Sequence, residues 1–461
     1  MATPLEIVIL AAGQGKRMYS DMPKVLHGLA GRPLLGHVLH CARSLKPVAI
    51  HIVYGHGGDK VRAAFAESDI RWAHQAEQKG TGHAVAQAMS AVSNQATVLV
   101  LYGDVPLIRP ETLQSLLSAA RSDSLALLTA ELADPGAYGR IVRDKSDKVV
   151  RIVERKDASP EEAAIREVNT GFLAAPAVKL KKWLVNLRNN NAQGEYYLTD
   201  IIAMAVAEGV AIATRAPGDV SEILGVNSKQ ELATLERIHQ KQQAERLMQQ
   251  GVTLCDPARF DLRGELTCGR DVVIDVNVII EGKVVLGDRV HIGPNNVIRD
   301  CTIGADTIVY PNCVLEQATV GEHGRIGPFA RLRPETTLAA HVHVGNFVEV
   351  KKSEVGEGSK VNHLSYIGDT MVGRHVNIGA GTITCNYDGA NKHRTVIGDN
   401  VFIGSATALV APVTVGANAT IGAGSVITKE APAGELTLSR APQQTRIGWK
   451  RPVKKAKSDN K

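Results

Sequence analysis

From Ile397 to Ile427 aliphatic residues fall at a constant step of six: Ile397, Ile403, Leu409, Val415, Ile421 and Ile427. Gly follows four of them, at Gly398, Gly404, Gly416 and Gly422, and a small or β-branched residue stands four positions after each, from Val401 to Ala431. One face of a helix repeats every 3.6 residues and an alternating strand every 2, so a step of six fits neither alone. It fits a parallel β-helix of hexapeptide repeats, in which three short strands close a triangular coil and the aliphatic side chains stack inside. Gly suits the tight corners such a coil needs. The step recurs in shifted phase at Leu286, Ile292 and Ile298, at Val320, Ile326 and Leu332, at Val355, Val361 and Ile367, and at Val372 and Ile378. About ten coils of about 18 residues are expected over 252–430. The largest break, Cys385 to Arg394, is polar and must leave the prism, and excursions of that kind are where function concentrates.

The 461 residues are enough for two or three domains, and aromatics at 4% with 43 Gly suit a narrow aliphatic interior. No apolar run is long enough to span a bilayer, and the start lacks a signal-peptide pattern. The six cysteines are scattered without zinc-like spacing, which reads as reduced thiols of a cytosolic protein. The formal charge is +6; six Lys/Arg against one Asp after Trp449 supply +5 of it, so the body is nearly neutral. That tail reads as a solvated terminus, and no basic surface interleaved with aromatics points to nucleic acid.

The first half alternates apolar strands with helical stretches. Strands are expected at 5–10, 48–54, 97–102 and 125–130, and helices near 34–44, 83–92 and 111–120. That is an α/β, Rossmann-like domain with a mostly parallel sheet, whose ligands sit beyond the carboxyl ends of the strands. Two loops stand at that edge. The first runs from Leu10 to Lys24 with Gly13, Gly15, Lys16, Arg17 and Lys24, and matches neither a Walker loop nor G-x-G-x-x-G. Anion binding and a solvated basic loop both remain open for it. The second is Y-G-D-V-P, where Asp104 ends a buried strand; it could hold a metal or simply cap a helix. The run 195–208 reads as an apolar helix whose tyrosines either line a pocket or pack in the core. From Ser228 to Gln250 one long linker helix is expected, stopped by Gly251.

L-A-A-G-Q-G-K-R-M with the following P-K, then Q-x4-G-T, Y-G-D-V-P and E-V-N-T-G, resemble the sugar-phosphate nucleotidyltransferases. The likeness extends along almost the whole chain to the bifunctional N-acetylglucosamine-1-phosphate uridyltransferase/glucosamine-1-phosphate N-acetyltransferase family. It implies an N-terminal uridylyltransferase domain over 1–227, a linker helix over 228–250, a left-handed β-helix acetyltransferase domain over 251–445 and a basic tail over 446–461. It implies a nucleotide-sugar site made by Leu10, Ala11, Ala12, Gly13, Lys24, Gln75, Gly80, Thr81, Tyr102, Gly103 and Asp104, with Gly139, Glu154 and Asn169 on the sugar. Arg17 and Lys24 would lie on the phosphates, and Asp104 and Asn227 would hold Mg²⁺. Attack of a sugar phosphate on UTP brings anions together, so positioning and charge neutralisation suffice and no covalent nucleophile is required.

In the second half the resemblance implies Arg333, Lys351, Tyr366 and Asn377 on glucosamine 1-phosphate and His363 as general base. Asn386 and Tyr387 would lie near the reacting amine, and acetyl-CoA would meet those two with Ala380, Ser405, Ala423 and Arg440. It also implies a homotrimer with active sites between neighbouring prisms. Imidazole is suited to taking a proton from an amine near neutral pH. Nearness along successive coils suggests Glu349 as its orienting partner. His341 and His343 could share one face as a zinc pair, but no third ligand is apparent. Two other readings stay open: a pyrophosphorylase whose β-helix serves only assembly or regulation, and a non-catalytic subunit.

Overall fold

The computed structural model describes residues 3–120 and 123–454, and the chain divides into two compact units, Met1–Glu245 and Arg246–Lys461. The last seven residues of the expected basic tail lie outside the described residues.

In the first unit β1 (Leu5–Ala11), β2 (Ala49–Tyr54), β3 (Ile70–His74), β4 (Thr97–Tyr102), β5 (Ser124–Glu131), β6 (Gly139–Arg143), β7 (Val149–Val153), β8 (Glu167–Pro176) and β9 (Ala211–Arg215) form one sheet. Its order is β9–β5–β8–β4–β1–β2–β3, with β6 pairing β8 and β7. Alternate residues of the central strands feed two cores, as a period of two dictates. Val8, Leu10, Val98 and Val100 pack toward helices Thr81–Met89 and Ala177–Val185. Ile7, Ile9, Leu99 and Leu101 pack toward Leu34–Ser44 and Pro110–Ala119. The sheet is mixed. β4–β1–β2–β3 and the β5–β9 pair run parallel, but β8 enters antiparallel between β4 and β5. The excursion β6–β7 precedes β8 and pairs with its start, so Gly139 lies opposite Asn169. A period-two pattern reports burial, not strand direction, so this reversal was not visible in the sequence.

The helix expected over 195–208 begins only at Asp200 and ends at Ala207. Residues before it bond sideways: Tyr196 N–H donates to the Lys79 carbonyl at 2.8 Å and Leu198 N–H to Thr81 Oγ1 at 3.1 Å. Tyr197 and Leu198 are buried and line neither of the two cavities at this edge, which favours core packing for them. The long helix spans Lys229–Gln249. Its start is fixed by Ser228, whose Oγ accepts from Glu231 N–H at 3.2 Å. Glu231 in turn accepts from Asn227 N–H at 2.6 Å.

The second unit is the expected solenoid. One face is an eleven-stranded parallel ladder from Thr253–Leu254 to Leu436–Thr437, and the other two faces join in a seventeen-stranded sheet. The six-step residues stack in register: Ile378 pairs with Ile403, and Ile403 with Ile421. Most turn positions with positive φ are not Gly. One corner runs Asn277, Asn295, Asn312, Phe329, Phe347 and Leu364, all with φ between 49° and 63°. The repeated Gly serve a different purpose from the expected one. A Cβ on Gly398 would stand 2.6 Å from Ala417 N, and one on Gly404 would stand 2.4 Å from Ala423 N. Close approach of the next coil, rather than φ, excludes a side chain there. The break at Cys385–Arg394 is an ordered arm. Tyr387 bridges Lys392, and Asp388 accepts from Ala390 and Asn391 N–H at 2.8 and 2.7 Å and from His393 Nε2 at 2.6 Å.

Ile403 has no exposed surface. Ile403→Ala should cost about 2–5 kcal/mol and Ile403→Val only about 1 kcal/mol. Differential scanning calorimetry of the two variants checks the graded fall in the solenoid's melting transition.

Candidate active sites

β1 and β4 are parallel neighbours, so the loops leaving Ala11 and Tyr102 emerge at one edge. Gly103 N–H donates to the Leu10 carbonyl at 2.9 Å and ties them together. A cavity of about 230 Å³ opens there, lined by Leu10, Ala11, Ala12, Gly13, Lys24, Gln75, Gly80, Thr81, Tyr102 and Asp104. Gly103 meets it through its backbone, wedged where a Cβ would stand 3.3 Å from the Leu10 carbonyl. Gln75 is buried, and its Nε2 bonds the Gly80 carbonyl at 3.2 Å and His83 Nδ1 at 3.0 Å. Gly80 and Thr81 open the helix at the cavity wall, where first-turn N–H groups have no partner within the helix.

A second cavity, of about 640 Å³, shares Tyr102 and Asp104 with the first and adds Arg17, Gly139, Glu154, Asn169 and Asn227. Asn169 Oδ1 accepts from Gly171 N–H at 3.2 Å, at the bulge of β8. Gly171 has φ +89°, and a Cβ there would strike the Tyr102 ring at 2.5 Å. Glu154 accepts from Thr199 Oγ1 at 2.9 Å. Burial pushes its carboxyl pKa up, outweighing the Thr199 bond, with Asp200 adding to the rise. Burial likewise raises the Tyr102 phenol, with Glu154 and Asp104 contributing. Arg17 is exposed at the rim.

Between the cavities Lys24 Nζ contacts Asp104 Oδ2 and donates to Asn227 Oδ1 at 3.1 Å. The ammonium and the carboxylate are 12% and 18% exposed. Two oxygens meeting one cation have the donor chemistry and spacing to hold a hard divalent ion together. Among the described residues no three His, Cys, Asp or Glu gather as a metal cluster.

In the solenoid, residues far apart in sequence fall into columns. Gly381 N–H donates to His363 O, Ala406 N–H to Ala380 O and Gly424 N–H to Ser405 O, while Arg440 Nη1 donates to Ala423 O at 2.7 Å. His363, Ala380, Ser405, Ala423 and Arg440 thus follow one corner. His363, Ser405, Ala423 and Arg440 are exposed. Asn377 stands on the adjoining face between Lys360 and Phe402. On the next face Glu349 pairs with Tyr366 and Lys351 with Gly368. Asn386 Nδ2 bonds Asp369 and lies 3.4 Å from Tyr366 Oη, and Tyr387 is exposed on the arm.

One expectation is corrected here, a reading already disfavoured is closed, and one residue is added. Glu349 does not orient His363: it accepts from Arg333 Nη1 at 2.8 Å and raises the guanidinium pKa. Asn346, one coil earlier in the same ladder, takes that place, its Oδ1 standing 2.7 Å from His363 Nδ1. Nor do His341 and His343 form a zinc pair. His341 sits at a corner with φ +61°, stacked on His323 with ring centroids 4.7 Å apart, while His343 lies in a strand. The sequence reading also missed Lys392. It comes off the arm beside Lys351, and its amine, ahead of burial and Arg333, lowers the Lys351 pKa. All six cysteines are free. A cavity of about 820 Å³ opens beside the arm, against Glu335, Lys352, Asp369, Met371, Lys392 and Arg394, and none of the expected acetyltransferase residues line it.

A strand-edge cavity with cations beside an acid–amide pair, and a hexapeptide prism with an exposed imidazole, define a transferase with two heads. The first is a nucleotidyltransferase and the second a hexapeptide acyltransferase. Residues 7–254 match the MobA-like NTP transferase domain, 262–355 the GMPPB C-terminal domain and 394–429 the bacterial transferase hexapeptide (six repeats). The bifunctional protein GlmU of Ralstonia nicotianae is 60% identical over 98% of this chain and 100% of its own. Those of Azoarcus sp. strain BH72 and Methylococcus capsulatus are 61% and 60% identical over 98% of this chain and 100% and 98% of theirs. The chain belongs to the GlmU family of bifunctional proteins.

A buried carboxyl with a raised pKa loses stability as pH climbs from the unfolded value toward the folded one, because the unfolded chain releases its proton first. Glu154→Gln should therefore raise the first unit's melting temperature at pH 7, by up to about 3 °C. The gain should shrink below pH 4.5, where both states of the native carboxyl are protonated. Thermal melts at the two pH values check it.

Proposed function

We infer that the chain makes UDP-N-acetylglucosamine in two steps. The second unit transfers acetyl from acetyl-CoA to glucosamine 1-phosphate. The first joins the resulting N-acetylglucosamine 1-phosphate to UMP from UTP, releasing pyrophosphate. In this reading residues 1–227 carry uridylyl transfer, 228–250 link and 251–445 carry acetyl transfer. The observation that carries it is the meeting of Lys24, Asp104 and Asn227 between a cavity with Gln75 and Thr81 and a cavity with Glu154 and Asn169. A nucleotide in the first and a sugar in the second would bring their phosphates together at that junction.

For uridylyl transfer, Gln75, Gly80 and Thr81 hold the uracil edge, while Gly139, Glu154 and Asn169 hold the sugar. Lys24 and Arg17 neutralise phosphate charge as the sugar phosphate attacks in line, and no residue becomes covalently attached. Mg²⁺, held by Asp104 and Asn227, would polarise the attacked phosphate and neutralise charge on the leaving pyrophosphate.

For acetyl transfer, Arg333, Lys351 and Lys392 offer three cations to the sugar phosphate. The tautomer of His363 follows from Asn346. An amide oxygen only accepts, so Nδ1 carries the hydrogen and Nε2 keeps a free lone pair. Nε2 takes the proton of the attacking amine, the thioester C–S bond breaks, and the proton passes to the departing CoA sulfur. The acetyl group passes directly to the amine, with no acyl-enzyme. Tyr387 and Asn386 would flank the amine, and Ala380, Ser405, Ala423 and Arg440 would line the acetyl-CoA path.

The acetyl site of one chain is open to solvent, and a homotrimer would complete it. Exposed Phe329 and Phe347 stack at one corner with centroids 5.1 Å apart, and exposed Leu364 extends the strip. Apolar strips of this kind mark association surfaces. No described helix is long and apolar enough to cross a membrane, and a cytoplasmic place fits both substrates and free thiols.

His363→Ala should lose acetyl transfer and keep uridylyl transfer, and Asp104→Ala should do the reverse, each by about 10²-fold or more. Separate assays with purified intermediates check it. Both variants losing both activities would sink the picture of two sites. Sedimentation equilibrium should give three chains for the native protein and fewer for Phe347→Glu, which should lose acetyl transfer alone.

A further inference from the structure

The family resemblance places Lys24 on nucleotide phosphates, yet its ammonium sits on the two oxygens assigned to the metal, Asp104 Oδ2 and Asn227 Oδ1. The arrangement is built in from several sides. Pro23 precedes Lys24, whose backbone is held in a 3₁₀ turn by Leu26 N–H on the Pro23 carbonyl at 2.9 Å. Gly15, at φ +59°, lets the stem pass: a Cβ there would meet Lys24 Cβ at 2.7 Å. Asn227 is fixed by Glu231 at the start of the long helix, and Val226 N–H donates to the Asp104 carbonyl at 2.9 Å.

We propose that Lys24 is a counter-cation occupying the metal seat of the free enzyme, so that a divalent ion enters only when nucleotide phosphates draw the ammonium away. The proposal rests on the reading of Asp104 and Asn227 as metal ligands. The charge count favours it. Lys24 with Asp104 is neutral, and the Asn227 amide adds no charge. A divalent ion added beside an unmoved ammonium would leave a net +2 in a mostly buried place, with like charges in near contact. A metal bonding both oxygens at about 2.1 Å needs the space Nζ now fills. Phosphates resolve the conflict. They give the ammonium a new partner and supply the metal's remaining oxygens. Lys24 already lines the same cavity as Gly13 and Gln75, so rotation of its flexible four-carbon stem is enough, with no backbone shift. In the empty enzyme the same contact keeps the Asp104 carboxylate paired and the seat formed.

The test is Mn²⁺ binding to the nucleotide-free protein, read from the free-ion electron paramagnetic resonance signal. Lys24→Met should bind Mn²⁺ at least about tenfold more tightly than the native chain. Lys24→Gln, which keeps a donor to Asp104 and carries no charge, should do the same if the methionine variant folds poorly. Arg17→Met removes a cation from the rim that does not touch Asp104, and should leave Mn²⁺ affinity within about twofold. Asp104→Asn placed on Lys24→Met should abolish the gain. Equal affinity of the native and Lys24 variants, with the Asp104 dependence intact, would overturn the counter-cation while leaving the metal pair standing. An equal gain in Arg17→Met would overturn it in favour of general charge. A gain that survives Asp104→Asn would overturn both the proposal and the assignment of the metal pair.

Discussion

Each coil of the solenoid passes its backbone N–H groups to carbonyls of a neighbouring coil. Gly381 bonds His363, Ala406 bonds Ala380 and Gly424 bonds Ser405, at 3.1, 2.7 and 2.8 Å. This parallel, in-register pairing turns steps of 17 to 25 residues in sequence into vertical columns. The same kind of pairing works in the first unit, where β1, β2 and β4 run side by side and release their loops at one edge. Rigid pairing of this sort fixes side chains more firmly than loops alone can. The aliphatic interior and the close Gly contacts serve that register: an added Cβ at Gly404 would lift one coil off the next.

Charge is handled alike at both heads. Cations stand beside partners that keep them in place. Arg333 is held by Glu349, and Lys24 by Asp104 and Asn227. Lys351 stands against Lys392 and Arg333, a cluster of like charges whose cost an incoming phosphate would relieve. At the other end of the second cavity burial raises the Glu154 pKa, which under the proposed function would suit a neutral sugar. Pre-placed charge of this kind reduces reorganisation when the reacting anions meet.

Much of this was legible before any coordinates. The six-step repeat specified stacked coils because its aliphatic residues point inward: Ile397, Ile403, Leu409, Val415, Ile421 and Ile427 are all buried. The loop residues at the edge of β1 and β4 were readable because short motifs sit at strand ends. What stayed hidden involved contacts between segments. Strand direction in β8 depends on where the β6–β7 excursion docks, and no local pattern records that. Asn346 was passed over because it lies 17 residues from His363, one short of the expected coil of about 18, and the corner where the coil shortens carries no local signal. Glu349 was assigned to the imidazole on nearness alone, whereas Arg333, on its own face, competes for it with full charge. The early start expected for the helix at Asp200 failed because tertiary bonds to Lys79 and Thr81 outbid helical ones.

Amide hydrogen exchange with each ligand added separately tests the two-headed account most directly. UDP-N-acetylglucosamine should protect amides around Ala12, Gly80, Thr81 and Gly103 and leave the solenoid unchanged. Acetyl-CoA should protect amides around Ala380, Ser405 and Ala423 and leave the first unit unchanged. Protection of the same segments by both ligands, or none along the Ala380–Ala423 column with acetyl-CoA, would contradict it.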